Sequence, residues 1–417
     1  MSSNKNYILS ISIIGILFFI FGFVTWLNGT LIPFLKLACD LQTDAEALLV
    51  TFAFYMAYFF LAIPSSYILN KTGFKKGMSW GLAVMAFGAL LFIPAALQRS
   101  FPLFLSGLFV QGMGLALLQT ASNPYISVIG PIESAAQRIS IMGICNKIAG
   151  ALSPLVLGAI VLKGAGEIEV KLNATTDLIT RESLLQELSQ RVILPYGIMA
   201  VVLMLLAVMI RLSPLPEIEM DRDAGKESSS TKTNVFQFPY LVLGIICLFL
   251  YVGVEVMAGD VIGTYGKAIG ISIDETKVFT SYTLWSMVVG YILGIIAIPK
   301  YIKQQQALAL SAIVGIIFSV GVFFTTGYTS IVFIALLGFA NALMWPAIFP
   351  LAIEGLGKFT KLGSALLIMC ISGGAILPQV YARVVPTFGP PTSFLIIVAP
   401  CYLYILFYAT KGHQIGK

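Results

Sequence analysis

Charged side chains are scarce in this sequence: they make up 11% of its 417 residues, whereas 58% are hydrophobic. Soluble globular proteins carry about 25% charged residues, so this chain has too little polar surface to cover a globule in water. Histidine occurs once, at His413 near the end of the chain, and no group of His, Asp and Glu resembles a catalytic cluster. These scarcities exclude a soluble protein and argue against an enzyme of the membrane.

Cysteine is also sparse, and its positions form no CxxC pair of the kind that binds metal or exchanges disulfides. Most of them lie inside apolar runs, so the sequence predicts that they pack within helices and form neither disulfides nor a metal site. No cofactor is predicted besides a coupling ion, which is argued below. The cysteines are Cys39, Cys145, Cys247, Cys370 and Cys401.

Apolar runs recur along the whole chain, and each is long enough to cross a hydrocarbon layer about 30 Å thick, which takes roughly 20 helical residues. The first run continues well beyond a secretory signal, so it is predicted to be a retained span. The sequence therefore predicts an all-α integral membrane protein with twelve transmembrane helices. The predicted spans are 7–35, 45–69, 77–97, 101–130, 137–163, 191–212, 237–265, 277–299, 306–327, 330–353, 361–384 and 390–410.

The formal net charge of +6 comes from lysines and arginines in short loops between these runs, which is a topology signal and does not indicate a nucleic-acid partner. An even number of spans places both termini on one side. The loops on that side carry the excess of Lys and Arg, so both termini are predicted to be cytoplasmic, in the inner membrane of a bacterium. The polar segment 213–236 is the predicted linker between two six-helix domains, residues 1–212 and 237–417.

A weak internal repeat supports two related, pseudo-symmetric bundles. Gln119 stands five residues before Pro124 in span four, as Asn341 stands five before Pro346 in span ten. Span five and span eleven each carry a glycine four residues before a proline, at Gly150 and Gly374. Together these spacings align corresponding helices of the two halves.

Three charges fall well inside the predicted spans, where each costs roughly 2.5–3.5 kcal/mol at the bilayer centre. Lys147 lies about ten residues into span five, roughly 15 Å deep. It is either a cavity cation that pairs with a carboxylate or hydrogen-bonds substrate, or one partner of a structural pair between helices. Glu255 in span seven is predicted to be a cation-coupling carboxylate. Asp260 either takes part in cation coupling together with Glu255 or lies at a solvated helix end. Only a break near Gly259 would bring both acids to one site.

These three charges leave one carboxylate over. If Lys147 neutralises one acid, the other remains to bind H⁺ or Na⁺. Proton coupling needs a carboxylate that burial keeps protonated, whereas sodium needs several oxygen ligands around it. H⁺ and Na⁺ are therefore both alternatives for the coupling ion, and in the second alternative a sodium ion binds near Glu255.

Amides and tryptophans inside the spans fit the needs of a sugar, whose hydroxyls require amide donors and acceptors and whose C–H faces pack on flat aromatic rings. The alternative is that Asn and Gln link neighbouring helices and that Trp marks the membrane interface. A stripe of Gly15, Gly22 and Gly29 in span one is predicted to serve close helix packing. The predicted substrate-binding residues are Asn28, Gln119, Asn123, Asn146, Trp285, Asn341, Trp345 and Gln379.

Three stretches resemble the fucose/galactose/glucose symporter family of the major facilitator superfamily: FFIFGFVTWLNGTLIPFLK (18–36), LLQTASNPYISVIGP (117–131) and WPAIFPLAIEGLGKFTKLGSALLIMCISGGAILPQ (345–379). The resemblance implies two bundles, alternating access and a central monosaccharide site, with Asn146 matching a cavity asparagine. The fucose permease carries coupling acids in spans one and four, where this sequence has Gly29 and Gln119. Span seven, FLYVGVEVMAGD (249–260), resembles members that keep a glutamate at the position of Glu255.

The sequence therefore predicts a cation-coupled importer of a hexose such as glucose or galactose, with Glu255 as the coupling residue, Asp260 and Lys147 beside it, and a slight preference for sodium. A proton-coupled transporter of fucose, an amino sugar or another polyol-like substrate is the alternative, together with an exporter of the same superfamily. A monomer in contact with lipid is predicted, with a monosaccharide and a cation as its partners.

Overall fold

The computed structural model describes residues 2–128, 135–215, 233–298 and 300–416, and every regular element in these ranges is a helix. Twelve segments are long and apolar enough to cross a membrane, which confirms the predicted all-α, twelve-span fold. The mean hydropathy of +0.93 reflects helices that face lipid on one side and other helices on the opposite side.

The first six spans are built from eleven helices, several of which are pieces of one interrupted span. These are α1 (Ser2–Thr25) and α2 (Asn28–Ala38) in span one, α3 (Asp44–Ala47) and α4 (Leu49–Thr72) in span two, α5 (Phe74–Leu90) and α6 (Phe92–Gln98) in span three, α7 (Phe101–Val128) in span four, α8 (Ala135–Val161) in span five, then α9 (Ala165–Ala174), and α10 (Leu178–Gln190) and α11 (Ile193–Leu212) in span six.

The last six spans are built from ten further helices. These are α12 (Pro239–Gly259) in span seven, then α13 (Ile262–Ala268), α14 (Ile273–Thr276) and α15 (Phe279–Ala297) in span eight, α16 (Gln304–Phe324) in span nine, α17 (Gly327–Asn341) and α18 (Met344–Ile353) in span ten, α19 (Thr360–Met369) and α20 (Gly373–Phe388) in span eleven, and α21 (Pro390–Thr410) in span twelve. Short 3₁₀ turns cover Val235–Gln237, Gly357–Phe359, Cys370–Ser372 and Gly412–Gln414.

Segment 164–190, predicted only as a long polar connection, is helical. Asp177 caps α10 by accepting hydrogen bonds from the backbone N–H groups of Ile179 and Thr180, which satisfies donors that a helix start leaves unpaired. Most of the predicted linker, residues 216–232, lies outside the described residues, so the two predicted domains are described here only by how their helices pack.

The helices pack mainly within each half: α5 against α7 and α11, and α1 against α8, in the first six spans, and α16 against α17 and α21, and α12 against α20, in the last six. The most extensive packing between the halves is at two junctions. At one junction α8 packs on α15, and at the other α4 packs on α19 and α20. Span five thus contacts span eight, and span two contacts span eleven.

The glycines of the predicted repeat lie at these two junctions. A Cβ placed on Gly150 would lie 3.1 Å from Leu284 of α15, and one on Gly374 would lie 3.1 Å from the ring of Tyr55 on α4. Each glycine therefore lets one bundle approach the other closely. The correspondence between Gln119 and Asn341 is looser, because α7 continues through Pro124 whereas span ten is interrupted at residues 342–343 just before Pro346.

Interruptions in spans one and seven face each other. Span one is interrupted at Trp26 and Leu27, and Asp260 and Val261 separate α12 of span seven from α13, which makes them the break of span seven. A Cβ on Gly259 would lie only 2.2 Å from the Trp26 ring, so the two breaks are in direct contact. The break near Gly259, required by the sequence argument, is present, and discontinuous helices of this kind form ligand and ion sites in membrane transporters.

Candidate functional site

An ion pair connects the two halves. Lys147 of α8 lies 2.7 Å from Glu255 of α12, measured from Nζ to Oε1. Both residues are buried, with 7% and 8% of their surface exposed. A buried charge without a partner is strongly unfavourable, so each of these residues requires the other. The pair crosses the junction between the bundles, and both alternatives for Lys147, a cavity cation paired with a carboxylate and a structural pair between helices, include such a contact.

Trp26, at the break of span one, holds Lys147 from a second side. The Lys147 Nζ lies 4.5 Å from the centre of the Trp26 ring, a cation–π distance that is favourable when water is excluded. The same ring packs on Gly150 and on Gly259. Trp26 therefore contacts span five of its own bundle and span seven of the other, around the ion pair.

Asp260 is completely buried, so it is not a solvated helix end. Its Oδ2 accepts a hydrogen bond of 3.2 Å from the hydroxyl of Tyr55 on α4. Its Oδ1 has no hydrogen-bond partner of standard geometry among the described residues, although the backbone N–H of Gly29 faces the carboxylate. Because Lys147 is bound to Glu255, Asp260 is the acid of this junction that has no basic partner in the part of the chain that the structure describes.

Gly29 has no room for a side chain. A Cβ there would lie 2.2 Å from Oγ1 of Thr280, and that hydroxyl donates to the carbonyl of Gly259 at 2.7 Å. Thr283 similarly donates to the carbonyl of Ala258 at 2.7 Å. Span eight thus satisfies carbonyls next to the break in span seven, and Asp260 brings a carboxylate to the backbone of Gly29.

Polar groups continue from Asp260 into the first bundle. Tyr55 and Tyr58 lie three residues apart on α4, so they share a helix face. Gln119 of α7 donates from Nε2 to the Tyr58 hydroxyl at 3.1 Å, and it is half-buried. The predicted sugar residue Gln119 and Asp260 thus form hydrogen bonds with two tyrosines on the same face of α4.

A second polar group lies on the other side of Glu255. Tyr251, one helical turn before Glu255, interacts with its carboxylate, and its ring centre is 6.5 Å from that of Trp345. Asn341 accepts a 2.7 Å hydrogen bond from Tyr402 through Oδ1, while its Nδ2 has no partner within the ranges that the structure describes. The predicted residues Asn341 and Trp345 thus belong to the second bundle's part of the same buried region.

Other predicted substrate residues connect helices. Asn146, next to Lys147, donates to the carbonyl of Phe18 at 3.4 Å. Gln379 donates to the carbonyl of Ala45 at 3.0 Å, so it joins span eleven to span two at the end of the molecule opposite the termini.

The remaining predicted residues lie in three different environments. Asn28 is buried at the start of α2, and neither of its side-chain polar atoms has a hydrogen-bond partner among the residues that the structure describes. Asn123 is half-buried, one turn beyond Gln119. Trp285 lies apart, because it is 43% exposed on the same stripe of α15 as Tyr282 and Val289.

Several residues of this site were missed by the sequence argument: Trp26, Tyr55, Tyr58 and Tyr402. Tyrosine and tryptophan count as apolar in a hydropathy window and as interface markers near span ends, so they carried no signal of their own. Their hydroxyls and rings lie deep in the spans. The position of a tyrosine or tryptophan far from the ends of a predicted span is therefore the sequence signal that could have identified them.

The described residues form twelve spans in two groups of six, which are joined at equivalent helix pairs and enclose buried charges at the junction. This arrangement defines the class of secondary membrane transporters. The described cysteines are all free thiols. The chain belongs to the Major Facilitator Superfamily, whose family model matches residues 14–378. It is therefore a multi-pass membrane protein.

Relatives and solved structures match this chain over nearly its whole length. A glucose/galactose transporter of Brucella abortus is 34% identical over 416 residues, covering 99% of this chain and 96% of that protein. The L-fucose-proton symporter of Escherichia coli is 28% identical, with 99% and 94% covered. A crystal structure of the Escherichia coli fucose:proton symporter superposes with a TM-score of 0.75 at 25% identity, covering 97% of this chain and 98% of that one.

Proposed function

We propose that this protein is a cation-coupled monosaccharide symporter that imports a hexose such as glucose or galactose by alternating access. The observation that carries the proposal is the buried ion pair between Lys147 and Glu255, because it places the charges of both bundles beside amide and aromatic side chains. The names of the relatives support a sugar as the substrate. We further propose a monomer, surrounded by lipid, in a bacterial inner membrane with both termini cytoplasmic.

Sugar would be held between Gln119, Asn123 and Asn146 of the first bundle and Asn341 and Trp345 of the second. The stack of Trp345 on Phe349, with ring centres 5.8 Å apart and planes at 19°, offers an aromatic face for the C–H side of a pyranose. The unpartnered Nδ2 of Asn341 is a donor that a sugar hydroxyl would satisfy.

Alternating access follows from where the halves touch. At the end of the molecule opposite the termini, Lys267 pairs with Glu169 at 2.5 Å and Gln379 donates to the carbonyl of Ala45. These two contacts hold the halves together at that end, whereas the bond from Ser281 to the carbonyl of Ala151, one turn beyond Lys147, belongs to the junction. Rocking of the bundles would open this end while the junction around Lys147 and Glu255 acts as the pivot.

Uptake of labelled monosaccharides into proteoliposomes tests the proposal. We expect uptake of glucose or galactose against its gradient when an inward cation gradient is imposed, with and without sodium as separate arms. Efflux without uptake would indicate an exporter, and uptake of fucose alone would favour the alternative that the relationship to the L-fucose-proton symporter supports. Absence of uptake of every sugar would contradict the proposal.

Replacement of Gln119 by alanine is expected to weaken sugar binding by roughly 5- to 150-fold, because a lost hydrogen bond to a buried polar partner costs about 1–3 kcal/mol. Isothermal titration calorimetry of the purified protein measures the change. Gln98→Ala, an exposed glutamine at the end of α6, is the control and should bind sugar normally. Unchanged affinity in Gln119→Ala would remove this residue from the site.

A further inference from the structure

We propose that the coupling ion is a proton and that Asp260, not Glu255, carries it. This inference rests on the proposed symport function and adds the identity of the ion and of the residue that binds it. The step is a simple protonation: the Asp260 carboxylate takes one H⁺ at a carboxylate oxygen, and the same O–H bond breaks when the proton leaves on the other side of the membrane.

The first argument is charge balance. The junction contains two acids, Glu255 and Asp260, and one base, Lys147, and the base lies 2.7 Å from Glu255. Asp260 is 0% exposed and has no cationic partner among the described residues. An ionised carboxylate buried in this way is costly, so a bound cation or proton stabilises the site.

The second argument is the kind of atom that surrounds the carboxylate. The groups that face Asp260 are the Tyr55 hydroxyl of α4, the backbone N–H of Gly29 of α2, and, at longer range, Glu255 of its own span and Lys147 of α8. Tyr55 donates to the carboxylate, the Gly29 N–H faces it without a hydrogen bond of standard geometry among the described residues, and Lys147 is positive. Sodium needs several oxygen ligands, and the carbonyls of Ala258 and Gly259 beside the break each have one lone pair occupied by a hydrogen bond, from Thr283 and Thr280 respectively. A proton requires no such shell.

The third argument is the position of Asp260 between the bundles. It lies at the break of span seven in the second bundle, but its hydrogen-bond partner Tyr55 belongs to the first. Tyr55 shares a helix face with Tyr58, which accepts from Gln119. A proton on Asp260 therefore changes a bond between the bundles on the same face of α4 that holds the proposed sugar residue Gln119.

Transport by proteoliposomes in sodium-free medium tests this assignment. We expect wild type to accumulate sugar when the outside is made acidic. Asp260→Asn should lose accumulation and keep sugar exchange at equilibrium, and Asp260→Glu, which retains an acid, should recover part of the accumulation. The control Asp274→Asn, a surface acid paired with Lys277, should behave as wild type. Full accumulation by Asp260→Asn, or accumulation by wild type only with sodium, would overturn the proposal.

A measurement independent of sugar keeps the proposal testable if Asp260→Asn does not fold or if no substrate is found. Infrared difference spectra of the wild-type protein between acid and alkaline medium should contain a carboxylic acid C=O band. Asp260→Glu should shift that band and Asp274→Asn should leave it in place. A band that is the same in all three proteins, or is missing from wild type, would contradict protonation of Asp260. Failure of wild type to exchange any sugar would instead contradict the proposed function.

Discussion

Lys147→Met is expected to destabilise the protein by about 3–5 kcal/mol, because it leaves Glu255 buried without its partner. Replacing both members of a buried pair by neutral residues is often almost neutral, so Lys147→Met combined with Glu255→Gln should regain most of the lost stability. Thermal unfolding of the purified variants in detergent measures both effects. Loss of stability in Lys147→Met and its recovery in the double variant would together show that the ion pair between Lys147 and Glu255 holds the two bundles together.

Lys163→Met is the control for this experiment, since Lys163 is exposed at the end of α8. It should unfold close to the wild-type temperature. The ion pair would contribute nothing to stability if Lys147→Met were as stable as this control. The same conclusion would follow if the double variant were less stable than Lys147→Met alone. Sugar accumulation should stay low in the double variant, because the junction has lost both of its paired charges.

Gly22→Ala is expected to prevent normal packing of span one on span five. The added Cβ would lie 1.8 Å from the carbonyl oxygen of Asn146 and 2.6 Å from its carbonyl carbon. Backbone atoms cannot rotate away, so the helices must separate and carry Asn146 and Lys147 with them. Overpacking typically costs about 1–3 kcal/mol and occasionally more, and contact with backbone places this site at or above the upper end.

Gly15→Ala is the matched control, seven residues earlier on the same helix. Its Cβ would lie 3.8 Å from the flexible tip of Met142, which is ordinary contact. The fraction of monodisperse protein after purification and the unfolding temperature should fall for Gly22→Ala and stay unchanged for Gly15→Ala. Equal behaviour of the two variants would show that the glycine stripe does not set the distance between spans one and five.

The number and order of the spans could be predicted because the bilayer fixes the length of an apolar helix. The three charges inside the spans could be found for the same reason, since lipid makes a charge expensive wherever it occurs. The break near Gly259 was required by the angle between Glu255 and Asp260 on an ideal helix, and the structure contains it.

The pairing of these charges could not be predicted. Lys147 and Glu255 are 108 residues apart, and only the packing of span five against span seven decides which acid the lysine meets. Likewise, the sequence offers Trp285 and Trp345 equally, because a transmembrane helix is apolar on nearly all sides and its pattern does not say which face meets lipid. Trp345 lies inward beside Tyr251, and Trp285 lies on the exposed stripe of α15.

The junction's unequal number of acids and bases has an electrical consequence. With Asp260 protonated, Lys147 and Glu255 cancel and the loaded carrier is neutral, so its reorientation is indifferent to membrane voltage. With Asp260 ionised, the empty carrier bears one extra negative charge, worth up to about 2.3 kcal/mol per 100 mV if it crosses the whole field. A cell interior held negative would push that charge outward, so voltage would speed the return of the empty carrier to the outward-facing state.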